Sequence, residues 1–219
     1  MTVEIQTTPT SNQEAVVVHV KIEVGDYVIP IVYPDYLVAI PPEFQELWGV
    51  KILDKKEQFG HAGALIINGK TGLSKYYEYG RYEQFGALGG VNKVGISDAV
   101  IEDGRITESN LVNIMSELSQ DAGQGGRIEA VVFIGDYYDK AYEWITDPKG
   151  LYRSPDRQAY DVTDFNCMQF VLDLLNALNI ETHWAGFIVK PDDEMEELQE
   201  DYKDLRYTPG NRTLEIEDE

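Results

Sequence analysis

The sequence predicts an α+β domain in which an antiparallel sheet packs on a helix that begins at Cys167, the chain's single cysteine. Three stretches predict it. Two β-prone runs flank the turn signal Asn68-Gly69 and read as a hairpin. Ile128 to Ile134 is apolar apart from Glu129 and reads as a buried strand. After Cys167, the residues Phe170, Val171, Leu174, Leu175 and Leu178 fall at i+3, i+4, i+7, i+8 and i+11, the spacing of one buried helix face.

Taken in order, the first fourteen residues are polar and are expected to be a loose N-terminus. Ala15 to Val24 alternates, with Val18, Val20, Ile22 and Val24 on one face, so it reads as a strand that turns His19 to solvent. Tyr27 to Ile40 contains Pro30 and Pro34. Proline cannot donate to a ladder, and short edge-type extended pieces are expected there. Pro41-Pro42 opens a helical turn over Glu43 to Trp48. Gly86 to Gly90 reads as a loop at the rim of a cleft. Thr107 is placed to cap a helix with the apolar face Leu111, Ile114, Met115 and Leu118, ended by Gly123-Gln124-Gly125-Gly126. A helix from Asp136 to about Ile145 follows the buried strand, and its aromatics fit the core better than a cleft. His183 to Val189 reads as a final strand. The segment from Pro191 onward carries twelve acids against three bases and reads as an acidic C-terminal tail. Within it, Asp192 to Tyr207 is spaced for a surface helix with Met195, Leu198, Tyr202 and Leu205 on one side. The expected organisation is a flexible N-terminus over 1–14, a single domain over 15–190 and the tail over 191–219.

Composition narrows the function. A chain of 219 residues, 43% hydrophobic, can bury one core. A net charge of −21 repels nucleic-acid backbones and anionic membrane surfaces, and favours a basic protein partner. One cysteine excludes an intrachain disulfide. The start lacks a basic n-region and an apolar h-region, and no apolar run has the length of a membrane span; neither a cleaved signal nor membrane insertion is expected, and any export would follow a non-classical route. Three scattered histidines, with no paired-histidine or calcium-loop spacing, imply no metal and no cofactor. The Gly69-Lys70-Thr71 segment does not meet phosphate-loop spacing.

The chemistry gathers at two places. A thiol in the first turn of a helix feels unpaired N–H groups and the positive end of the helix dipole, a setting that suits a nucleophile. A single cysteine on an apolar face can equally be a small core residue. His61, on the first hairpin strand, falls near Glu78 on the return strand. A two-residue loop puts Glu78 one diagonal step from His61, and a four-residue loop puts it directly opposite. Either even loop supplies a base with a carboxylate to orient it. His183 is a rival base, without a carboxylate placed by simple pairing.

The segment Tyr160-x-Val162-Thr163-x-x-Asn166-Cys167-x-x-Phe170-Val171 resembles the nucleophile motif of circularly permuted papain-like proteins. That group includes the permuted NlpC/P60 proteins, the lecithin:retinol acyltransferase-like proteins and the PPPDE peptidases. Gly60-His61-x-Gly63, with Glu78-Tyr79-Gly80 returning, is similar to the group's histidine hairpin. His61 precedes Cys167, which is the permuted order. The resemblance implies a permuted papain-like fold and a cysteine hydrolase, with Cys167 as nucleophile, His61 as base and Glu78 as orienting group. The Cys167 N–H and the Asn166 side chain would serve the oxyanion, and Tyr160 would contact substrate. It further implies an endopeptidase or amidase acting on peptidoglycan peptides, in the manner of type VI secretion toxins, with a basic immunity or secretion partner. Met168-Gln169 replaces the Glu-His of the acyltransferase-like branch, which disfavours lipid or thioester acyl transfer. An inactive papain-like binding module is the third class.

Overall fold

The computed structural model describes residues 25–39, 56–162, 165–182 and 190–216. The expected strand at 15–24 with His19, the turn at 43–48 and the strand at 183–189 with His183 lie outside the described residues. The fold is a mixed α+β architecture built on an eight-stranded antiparallel sheet.

In chain order the strands are β1 (Asp26–Tyr33), β2 (Leu37–Ala39), β3 (Lys56–Gln58), β4 (His61–Ile67), β5 (Ser74–Gly80), β6 (Gly90–Val94), β7 (Ile101–Glu102), β8 (Arg105–Ile106), β9 (Ile128–Val131), β10 (Phe133–Gly135), β11 (Asp204–Thr208) and β12 (Thr213–Ile216). The helices are α1 (Glu108–Asp121), α2 (Tyr138–Thr146), α3 (Cys167–Ala177) and α4 (Pro191–Asp201). The sheet order is β12-β11-β9-β1-β4-β5-β6, and β10 also pairs with β1. β2 pairs with β3 and β7 with β8 as separate two-stranded ribbons.

Strand periodicity gives β1 two apolar faces. Val28 and Val32 point to one core, and Tyr27, Ile29, Ile31 and Tyr33 to another. α2, α3 and α4 cover the first face. α1 and the β7–β8 ribbon cover the second, through Leu111, Ile114, Met115, Leu118 and Ile106. β1 is therefore central, which corrects the edge-strand expectation drawn from Pro30. The proline is tolerated because Pro30 pairs with Ala64 of β4 on one side, while on the other side the pairing lapses between Val28 and Ile31 as β1 passes from β10 to β9. A residue without an N–H sits where no ladder bond is asked of it.

The β4–β5 hairpin turns through residues 68–73, longer than the two or four residues expected, since Ile67 pairs with Ser74. Asn68 builds the wider turn: its Oδ1 accepts from the N–H groups of Lys70 and Thr71. The loop length is still even, so the strand faces stay in phase. Gly60 takes a positive φ of 77° just before β4, a backbone state glycine adopts without steric cost. Gly63 is required for a different reason: a Cβ there would lie 2.2 Å from the Tyr76 hydroxyl and 2.7 Å from the Tyr77 carbonyl.

Other elements shift in detail. The 128–134 run is divided at Val132 into β9 and β10, and α2 starts at Tyr138. Thr107 occupies the N-cap position of α1 without a side-chain cap bond. The glycine-bearing segment after β5 is a 3-10 turn, Glu83–Leu88, and Gly90 already belongs to β6. The largest correction concerns the tail. α4 ends at Asp201, and Leu205 and Tyr207 are carried not by a longer helix but by β11, which pairs with β9 and extends the main sheet. Met195 and Leu198 lie in the same core as α3. The division between 15–190 and 191–219 therefore does not follow the packing. No helix among the described residues is long and apolar enough to cross a membrane.

Candidate active site

α3 is set by its own sequence. Phe170, Val171, Leu174 and Leu175 are fully buried against the sheet, each contributing about 1.5–3 kcal/mol of apolar burial. Asn166 is the N-cap: its Oδ1 accepts from Met168 N–H at 2.9 Å and Gln169 N–H at 3.0 Å, and its Nδ2 donates to the Val162 carbonyl at 2.8 Å. Cys167 is then the first helical residue, 3% exposed, with its N–H unpartnered among the described residues. Asn166 was expected at an oxyanion. Its side chain, 1% exposed, makes the cap bonds that position the helix start.

α3 packs across β4 and β5, which brings its first residue to the end of the hairpin where His61 begins β4. Cys167 neighbours His61 and Tyr160, near enough for its charge to act on both. His61 Nε2 lies 3.1 Å from Glu78 Oε2 and 3.4 Å from the Tyr82 hydroxyl, which leaves Nδ1 as the ring nitrogen for the thiol. Glu78 pairs with Gly63, so it stands one diagonal step from His61 on the same face of the hairpin. Tyr33 and Tyr36 flank the imidazole, with ring centroids 6.4 and 4.9 Å away.

Burial and charge act against each other here. Desolvation opposes the imidazolium, but the neighbouring Cys167 and the Glu78 carboxylate outweigh it and hold His61 well above the usual histidine range. Desolvation likewise raises Glu78, and the hydrogen bond and charge of His61, with donors from Asn92 and Tyr82, bring it below the usual carboxylate value. Burial and the Glu78 charge push the Tyr82 phenol far above its ordinary range, so it stays neutral, with its hydroxyl 3.4 Å from His61 Nε2. Tyr160 is raised first by burial and then by Cys167, against the lowering effect of Arg81.

Two of these contacts were not expected. Asn92 stands directly opposite Glu78 in the β5–β6 register and donates from Nδ2 to Glu78 Oε1 at 3.0 Å. Tyr82 follows the end of β5. The signal for Asn92 lay in Val91-Asn92-Lys93-Val94, a short alternating run after Gly89-Gly90. Above His61 opens a cleft of about 250 Å³, lined also by Tyr36, Leu37, Val38, Gly80, Arg81, Tyr82, Tyr160 and Val162. No group of three or more His, Cys, Asp or Glu side chains suited to a metal ion occurs among the described residues.

A buried thiol beside an imidazole that a buried carboxylate hydrogen-bonds, beneath a cleft, can perform acyl transfer through a covalent intermediate. The comparisons bear on where such a site is used. The profile of the type VI secretion system effector TseH-like family matches residues 28–183. This chain belongs to that family. A solved structure, the crystal structure of the type VI secretion system effector TseH, is similar to it at 37% sequence identity and a TM-score of 0.75, covering 89% of this chain and 98% of that one. Among curated proteins none matches the chain. Membership places the chain among type VI effectors, proteins exported by a non-classical route.

Proposed function

We propose that this TseH-like effector is a cysteine hydrolase of the circularly permuted papain-like type, cleaving an amide bond in peptidoglycan peptides as an antibacterial toxin. One observation carries the reading: the imidazole that neighbours the Cys167 thiol has one nitrogen held by a buried carboxylate. Burying a charged pair is costly, and a cysteine that merely filled the core would gain nothing from it. The order of base before nucleophile in the chain, and the antiparallel hairpin that carries His61, support the permuted arrangement.

In the proposed reaction His61 takes the proton of the Cys167 thiol as sulfur attacks the substrate carbonyl. Charge that develops on the carbonyl oxygen falls near the start of α3, where the Cys167 N–H and the helix dipole favour it. The C–N bond breaks, the amine departs with the proton from His61, and a thioester remains on Cys167. Water then gives a proton to His61 and attacks the thioester, releasing the acid and restoring the thiol. Glu78 stabilises the imidazolium in both halves and fixes its tautomer. Tyr160, at the thiol and on the cleft wall, contacts the substrate. Effector-family membership supports delivery to a target cell envelope, and the acidity of the chain suits a basic immunity or secretion partner.

The test is incubation of purified peptidoglycan with wild type, Cys167→Ala and His61→Ala, with products read by mass. New free amine and carboxyl termini are expected from wild type alone. Equal products from either variant would remove the assigned roles, and fatty acid release from phospholipid with muropeptides intact would replace the amide substrate by a lipid ester.

A further inference from the structure

We infer that Arg81 forms a carboxylate-binding subsite in the cleft, so that the substrate carries a free carboxylate beside the bond that Cys167 attacks. The inference rests on the hydrolase reading and adds the substrate's charge. Continuing the β4–β5 register places Gly80 across from His61, and Arg81 leaves the sheet at that point. It is the only lysine or arginine among the described residues lining the cleft. Its Nη2 donates to the Tyr160 carbonyl at 3.1 Å and its guanidinium lies 5.7 Å from the Tyr160 ring centroid. Tyr160 in turn neighbours Cys167. One aromatic residue thus spans the guanidinium and the reacting sulfur.

The guanidinium is held but not neutralised. Arg127 and Arg206 form ion pairs with acids, whereas Arg81, like Arg153, Arg157 and Arg212, pairs with no carboxylate among the described residues. What sets Arg81 apart is its place, an exposed guanidinium on the wall of the cleft with no acid paired to it among the described residues. Guanidinium has five donors in a planar fork, and the bond to Tyr160 uses one. The remaining edge suits a bidentate carboxylate. The subsite also answers a difficulty raised by the net charge of −21, which repels an acidic substrate at long range. Binding of an anion must then be local, and Arg81 is the group placed to provide it.

The experiment compares disaccharide-tetrapeptide muropeptides with the same muropeptides whose free carboxylates have been converted to primary amides, using wild type, Arg81→Ala and Arg81→Lys. Wild type is expected to cleave the carboxylate form with kcat/KM roughly 10- to 100-fold above the amidated form, the scale of a charge-assisted hydrogen bond. Arg81→Ala should erase that ratio, and Arg81→Lys should restore part of it. A merely structural loss through Tyr160 would lower both substrates alike and keep the ratio, and an unchanged ratio overturns the subsite. If wild type cleaves neither form, the hydrolase reading fails; the subsite is then judged by calorimetric binding of both forms to Cys167→Ala with and without Arg81→Ala. Tighter binding of the carboxylate form that depends on Arg81 upholds it, and equal binding of the two forms refutes it.

Discussion

Asn92 Nδ2 donates to Glu78 Oε1 at 3.0 Å while Glu78 Oε2 faces His61 at 3.1 Å, so the carboxylate is gripped from both sides across three adjacent strands. A carboxylate oriented this way should matter more to turnover than to binding. Glu78→Gln is expected to lower kcat by about 10²- to 10⁴-fold with KM little changed, by analogy with loss of the orienting acid in other nucleophile–histidine sites. Asn92→Ala should act in the same direction and more weakly, about 10-fold, because it removes one hydrogen bond to a charged group. Steady-state kinetics on muropeptides checks both, and the pH profile separates positioning from simple damage. Asn92→Ala should move the acid limb with Glu78, whereas a destabilised but otherwise normal site would keep its profile.

Alkylation of the single thiol tests the Cys167–His61 contact without any substrate. Cys167 is 3% exposed and sits beneath His61 and Tyr160, so two effects compete when His61 is shortened. If access limits the reaction, His61→Ala opens the site and iodoacetamide reacts faster. If His61 accepts the thiol proton, reaction should slow, by about 10-fold or more at neutral pH. The expected outcome is slowing, measured as carbamidomethyl incorporation over time by mass. Acceleration would mark a core cysteine with no functional base.

Asn166 separates two roles by magnitude. Loss of its cap bonds to Met168 and Gln169 should cost about 1 kcal/mol of stability, seen in urea titration, with kcat reduced less than 10-fold. Loss of an oxyanion donor would instead lower kcat by about 10²- to 10³-fold. Asn166→Asp, which keeps an acceptor for the cap, should restore most of the stability lost in Asn166→Ala.

How far these features can be read before folding depends on their range. The His61–Glu78 pairing is legible because strand faces repeat every second residue and any even loop preserves them. The loop length itself is not legible, because Asn68 gathers two N–H groups into a wider turn than the Asn-Gly pair suggests. The α3 face is legible from apolar spacing alone. Asn92 is hidden by the brevity of β6, five residues that open on glycine and carry Lys93, too few for alternation to stand out. The placing of β1 at the centre of the sheet depends on β9 and β10 meeting it about a hundred residues later, a long-range fact that Pro30 locally argues against. The tail misleads for a related reason. Its acids dominate the composition, yet Met195, Leu198, Leu205 and Tyr207 are the residues that fix it to the sheet.

The shifts of His61 and Glu78 have opposite signs, and together they define a pH window for stability. His61 is raised above the usual 6.5 because Cys167 and Glu78 overcome its burial, so its contribution is complete below about 6.5 and is lost as pH rises through the higher folded value. Glu78 is lowered below the usual 4.5 because His61, Asn92 and Tyr82 overcome its burial, so its contribution is complete above about 4.5 and is lost as pH falls through the lower folded value. The pair therefore supports the fold most between about pH 4.5 and 6.5. Thermal melts of wild type and Glu78→Gln across pH 3 to 9 should show the largest Tm difference inside that window, narrowing on both sides. A difference that keeps growing into the alkaline range would show that Glu78 does not stabilise the charged imidazolium.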